Sequence, residues 1–199
     1  TEDSTVIKIK DYNPDCVFRL QSLVDGISLD SIEIYLNEGE CYVLECVSLI
    51  TSANEDGFLG ADITSNKNIV VSNGSALGGS TDAAARDLLL EQSVPISVLG
   101  TRHIVIKGNS SESTNHAEKV IIIATEDSTS IFVNDLTEAS TIIQEGEYFE
   151  LDGSSFSVND NLFITTTKPV YCYQQILGGA AVNTVGLNLI PSVDRCLPS

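Results

Sequence analysis

Apolar and polar residues alternate along much of the chain with the two-residue period of a half-buried strand. Ile7 and Ile9 alternate with Val6, Lys8 and Lys10, and Ile131 and Val133 keep the same spacing after Thr129. These four are expected in the core. Asn37-Glu38-Gly39-Glu40 and Gln144-Glu145-Gly146-Glu147 read as turns feeding strands with Tyr42 and Leu44, or Phe149 and Leu151, facing inward. Ile69 with Val71, and Val170 with Cys172, mark another strand pair, and His103 to Lys107 and Lys119 to Thr125 two more. One stretch reads differently. After Gly78-Gly79, the run from Ser80 to Gln92 supplies a capping residue, good helix formers and a stop at Pro95, which predicts a short helix near 82–92.

The strand motifs recur in order. Thr1-Glu2-Asp3-Ser4-Thr5 returns unchanged as Thr125-Glu126-Asp127-Ser128-Thr129. Glu38-Gly39-Glu40 returns at Glu145-Gly146-Glu147, Ile63-Thr64 at Ile164-Thr165, and Leu77-Gly78-Gly79 at Leu177-Gly178-Gly179. The offset falls from 124 to 107, then to 101 and 100, which puts 17 extra residues of the first copy at about 11–28 and six more near Leu49 to Gly57. Both insertions are expected in surface loops. The fold class is therefore all-β, with two tandem β-sandwich-like domains from an internal repeat and propeller-like blades as the alternative. The first repeat is placed at 1–79 and the second, with a C-terminal tail, at 80–199. In this sequence the first copy starts without the two strands that precede the same motif in the second. An open strand position is expected there, to be filled by the inserted Cys16-Val17-Phe18-Arg19-Leu20 or by a neighbouring subunit.

The order of Leu89-Leu90-Glu91-Gln92-Ser93-Val94-Pro95, Leu99-Gly100-Thr101-Arg102-His103-Ile104-Val105 and Ile123-Ala124-Thr125-Glu126-Asp127-Ser128-Thr129 resembles the IgG Fc-binding protein N-terminal domain family, including its bacterial secreted and surface-protein branch. The likeness continues through Gln144 to Glu147 and Ile164 to Val170, over most of residues 60–193. It implies an extracellular binding or scaffolding module and carries no catalytic residue across.

Composition narrows the partners. Ten basic and 28 acidic residues give a net charge of −18, which repels nucleic acid and anionic membrane surfaces. No apolar run approaches the roughly 20 residues of a membrane span. The chain opens on Thr1 and has no Met, as a processed chain or a segment of a longer one would. Five cysteines without CxxC spacing favour disulfides over zinc. Cys16 is expected to bond Cys41 or Cys46, and Cys172 either ties down the tail through Cys196 or is a small buried residue.

Asp11, Asn13 and Asp15 stand at alternate positions, as calcium ligands do, and Asn54-Glu55-Asp56-Gly57 with Asp62 is a second acidic loop. The EF-hand pattern then fails, because Cys16 takes the glycine position and Ser22 the terminal glutamate position, so a solvated turn is the expectation. No metal or other cofactor is expected. Asn73 and Asn109 head glycosylation sequons expected in surface loops. His103 and His116 are the only histidines, and no GxSxG elbow accompanies them. No enzyme is expected. The leading expectation is an extracellular or cell-surface fibre or adhesin subunit that assembles head to tail with itself. The alternative is a secreted module recognising a host protein or glycan.

Overall fold

The computed structural model describes residues 1–20, 29–46, 52–78, 87–108, 118–134, 136–176 and 186–195. The fold is all-β, in two compact units, Thr1–Val70 and Val71–Ser199. The first holds β1 (Thr5–Lys10), β2 (Phe18–Leu20), β3 (Ile32–Leu36), β4 (Leu44–Cys46), a one-turn helix α1 (Ala53–Asp56) and β5 (Asp62–Ser65). Its strands form a sheet of order β3-β1-β5 and a β2-β4 ribbon. The second holds β6 (Ser72–Gly78), β7 (Asp87–Gln92), β8 (Gly100–Ile106), β9 (Glu118–Ala124), β10 (Thr129–Val133), β11 (Thr141–Ile143), β12 (Tyr148–Asp152), β13 (Asn161–Ile176) and β14 (Gly186–Leu189). The division precedes residue 79 because β6 pairs with β7, which places that hairpin in the second unit.

β13, 16 residues long, organises the second unit. Its first half lies between β10 and β8; past a register shift between Thr165 and Val170, its second half lies between β9 and β14. With β11 beyond β10 and β12 beyond β9, the sandwich-like arrangement is realised as one nearly closed, barrel-like sheet. Val105, Val120, Ile122, Ile131, Leu162, Ile164, Val170 and Cys172 fill it with no exposed surface.

The repeat reappears as strand register. β1 between β3 and β5 matches β10 between β11 and β13. Thr5 opposes Leu36 as Thr129 opposes Ile143, and Ile7 opposes Ser65 as Ile131 opposes Thr166. Ile7, Ile9, Ile131 and Val133 are all core. The polar residues of the repeat are retained because they tie two turns together. Ser4 and Ser128 take positive φ, as do Gly39 and Gly146 in the facing turns. The Asp3 carboxylate accepts from the Glu38 amide (3.0 Å) and Asp127 from Glu145 (3.2 Å). Glu40 caps the amide of Asn37 (2.7 Å) and Glu147 that of Gln144 (2.8 Å). Thr5 donates to the Glu2 carbonyl and Thr129 to that of Glu126 (2.6 and 2.7 Å), while Lys67 and Lys168 donate to the carbonyls of Asp3 and Asp127. Each copy thereby satisfies backbone groups that a tight corner would otherwise leave without partners.

Two expectations are corrected. Residues 87–92 are strand β7, not helix: Leu89 is 3% exposed while Leu88 and Leu90 face solvent, the alternation of a strand paired to β6. A helix this short is marginal in water, so pairing with β6 overrides propensity. Residues 79–86 lie outside the described residues. The described parts of the insertions also do not lie only at the surface. Cys16 and Phe18 in the first insertion have no exposed surface, and Tyr12, Phe18 and Phe58 form an aromatic cluster with centroids 4.9–5.9 Å apart. From the second insertion, the Asn54 side chain accepts from the Val17 amide and donates to the Val17 carbonyl, both at 2.7 Å. Gly57 comes so close to Asn13 and Cys16 that an added Cβ would lie 2.8 Å from the Cys16 sulfur. The insertions therefore interlock, and β2 lies against β4. In the second unit that flank, on β12, belongs to β9. The inserted segment thus takes the place of β9, while β5, which matches β13, has no described strand where β13 carries β8.

Candidate recognition face

Strand alternation splits the β8-β13-β10-β11 part of the second unit into two faces. His103, Val105, Leu162, Ile164, Thr166, Thr129, Ile131, Val133 and Ile143 turn inward and are buried. Arg102, Ile104 and Ile106 of β8, Phe163 and Thr165 of β13, Ser130 and Phe132 of β10 and Ile142 of β11 therefore turn outward. Ile104, Ile106 and Ile142 are 48%, 63% and 57% exposed, and Phe132 and Phe163 are half-buried. Phe163 stands directly opposite Ile104, Phe132 opposite Thr165 and Ile142 opposite Ser130. Arg102 places its guanidinium 5.7 Å from the Phe163 ring centre. The result is an apolar surface with two aromatic rings and a cation over one of them.

The first unit shows that the framework does not require this. Lys8 stands at the position of Phe132, Asp62 at that of Phe163 and Tyr35 at that of Ile142. There the outward face carries ion pairs, Lys10 to Asp62 at 3.2 Å and Lys8 to Glu33 at 4.0 Å, and Tyr35 donates to Glu33. A shallow depression of about 510 Å³ lies beside β3, between Glu33, Glu40, Cys41 and Tyr42.

Other candidate residues fall elsewhere. Asp11 pairs with Lys10, the Asn13 side chain is engaged by the amide of Asp15 (2.9 Å), and Asp62 pairs with Lys10. The Asn13 carbonyl closes the turn onto the amide of Cys16 (2.9 Å). Among the described residues no three His, Cys, Asp or Glu side chains gather as a metal site. Asn73 lies in paired strand β6, where its side chain accepts from Ser93 (2.9 Å), not in the expected loop; Asn109 lies outside the described residues. Cys172 is a core residue whose thiol is pushed up to about 12 by burial, and Cys41 is exposed; Cys196 lies outside the described residues.

His103 is buried, with Nδ1 3.2 Å from the Ile190 carbonyl, and His116 lies outside the described residues. Burial holds the imidazole below its ordinary pKa, against the raising effect of its backbone hydrogen bonds. The segment after β14 clamps β8. Asp194 accepts from the amides of Thr101 and Arg102 and from the Thr101 hydroxyl, and these bonds lower its pKa although burial opposes them. His103 and Asp194 thus fix the strand that presents Arg102 and Ile104. Sequence reasoning identified β8 but not the outward face it shares with β13 and β10, because that face forms only once the strands are paired.

The fold is all-β, with one sheet that turns an apolar face outward. The whole chain, residues 1–199, matches the IgGFc binding protein family and belongs to it. Neither the curated proteins nor the solved structures contain a match to the chain. Among the described residues no helix is long and apolar enough to cross a membrane.

Proposed function

We propose that the chain is a secreted recognition module, active outside the cell, that binds a protein partner through the β8-β13-β10-β11 face. The observation that carries this reading is the exchange of Lys8, Asp62 and Tyr35 in one copy for Phe132, Phe163 and Ile142 in the other, on sheets of identical register. Exposed apolar clusters are avoided on soluble surfaces unless something docks there. Phe132 and Phe163 are the anchors available to a hot spot, and Arg102 adds a planar donor beside them. The chain as a whole carries a net charge of −18, which favours a basic partner. The family name supplies the first partner to try, the Fc portion of immunoglobulin G. In this reading the chain is a binder with no catalytic step.

A fibre subunit is the competing reading, and its strand-addition argument is met in part, because β2 covers β4 from within the chain while β5 has no described strand on its outer side. The test is binding of immobilised Fc to the wild-type chain, to a Phe163→Ser/Ile104→Thr variant and to a Lys8→Ala/Glu33→Ala variant. The expected result is a loss of about tenfold or more in affinity for the first variant and little change for the second. Equal losses, or none, would remove the face from the reading. Light scattering runs alongside: a monomer is expected, and concentration-dependent filaments would restore self-assembly.

A further inference from the structure

Cys16 and Cys46 come from different segments and meet in the core of the first unit. Cys16 lies two residues ahead of β2 and Cys46 is the last residue of β4, whose register sets Phe18 opposite Cys46. Both belong to one apolar cluster, Cys16 without exposed surface and Cys46 partly buried. Both are free thiols in this structure, close enough for their side chains to interact within that cluster, and the Cys16 sulfur lies 3.4 Å from the Ala53 carbonyl. Cys41, the other candidate partner, is exposed and lies outside β4. β2 and β4 are three-residue strands in a two-stranded ribbon, an arrangement that is marginal without further support.

We infer that Cys16 and Cys46 are joined by a disulfide in the mature protein, locking the inserted segment onto β4. The oxidant is itself a disulfide, that of oxidised glutathione or of a thiol–disulfide exchange catalyst. One cysteine thiolate attacks it, forming a mixed disulfide and releasing one thiol. The second cysteine then displaces the remaining oxidant sulfur. Two protein thiols lose two electrons and two protons, and the oxidant is reduced to two thiols. Burial raises the Cys16 thiol above its ordinary pKa and pushes Cys46 up to about 12, so little thiolate exists once the unit has folded. The bond therefore closes while the chain folds and is afterwards shielded from exchange.

The test refolds the full reduced chain in a glutathione redox buffer, digests it without reduction and maps the linked peptides by mass spectrometry. The expected product links Cys16 to Cys46 and leaves Cys41 free. Reduction should lower the melting temperature of the first unit by roughly 10 °C or more. Oxidised glutathione should react with the native reduced chain about tenfold or more slowly than with the unfolded one. Cys16→Ala, Cys46→Ala and the double variant should melt together, since either single change removes the whole bond. A link from Cys16 or Cys46 to Cys41, two free thiols after oxidative refolding, or single-variant losses that add in the double variant would each overturn the inference. If the variants do not fold, the wild-type peptide map decides.

Discussion

The two units have one framework and two different surroundings for it. β3-β1-β5 and β11-β10-β13 agree in order, register and turn chemistry, down to the paired carboxylates of Asp3 and Asp127. They differ on both sides of that framework. Under it, the second unit closes with β9 and the long β13, whereas the first substitutes β2, α1 and the Tyr12-Phe18-Phe58 cluster. On top of it, the second unit presents Phe132, Phe163 and Ile142, whereas the first presents ion pairs. Exposed pairs of that kind contribute only about 0–1 kcal/mol each, so their effect is to keep the face hydrated rather than to hold the sheet together. A repeat can thus preserve its corner and free its outer face to change.

The comparison can be broken most forcefully in the first unit's cap. Phe18→Ala should destabilise that unit by about 3–5 kcal/mol, the range for emptying a buried aromatic site. Calorimetry should show its transition fall while that of the second unit stays in place. A single shared shift would mean that the insertions are not the first unit's own core.

The outer faces come next. Ile104→Glu should weaken Fc binding about tenfold, or about 1.4 kcal/mol, without moving the melting temperature, since Ile104 already faces water. In the converse experiment, Lys8→Phe with Asp62→Phe should make the first unit bind a hydrophobic dye, measured as added fluorescence over wild type.

The shared corner predicts equality. Asp3→Ala and Asp127→Ala should each cost about 1 kcal/mol, each in its own unit, because each removes one carboxylate that accepts a turn amide. Denaturant melts resolved by unit would check this. Unequal losses would show that the corners are alike only in outline.

The smallest effect is a pH slope confined to the second unit, as His103 has no described counterpart in the first. Its folded pKa lies below the ordinary 6.5, so the unfolded chain binds the proton more readily. Stability is full above 6.5 and is lost as pH falls from there toward the folded value. His103→Gln should flatten that slope, read from melting temperatures between pH 7 and pH 5. Asp194 acts in a separate, more acidic window, because its folded pKa is below 3.8 and its contribution goes only as pH falls through that range.

The sequence by itself determined the framework. Alternation at Ile7, Ile9, Ile131 and Val133 put the right side chains inside, and the offsets of 124, 107 and 101 residues reproduce the paired registers residue by residue. Period and turn chemistry are local, so they can be read along the chain. Local signals failed where a distant partner decided the outcome. Leu88-Leu89-Leu90 suits helix or strand, and β6 made it a strand. Cys16 and Phe18 sit in an insertion expected as a surface loop despite the strand character of Cys16 to Leu20, and only the approach of β4 and α1 buries them. The proposed recognition face needed the second copy folded, because Phe132, Phe163 and Ile104 are far apart in sequence and become one surface only when β13 lies between β10 and β8.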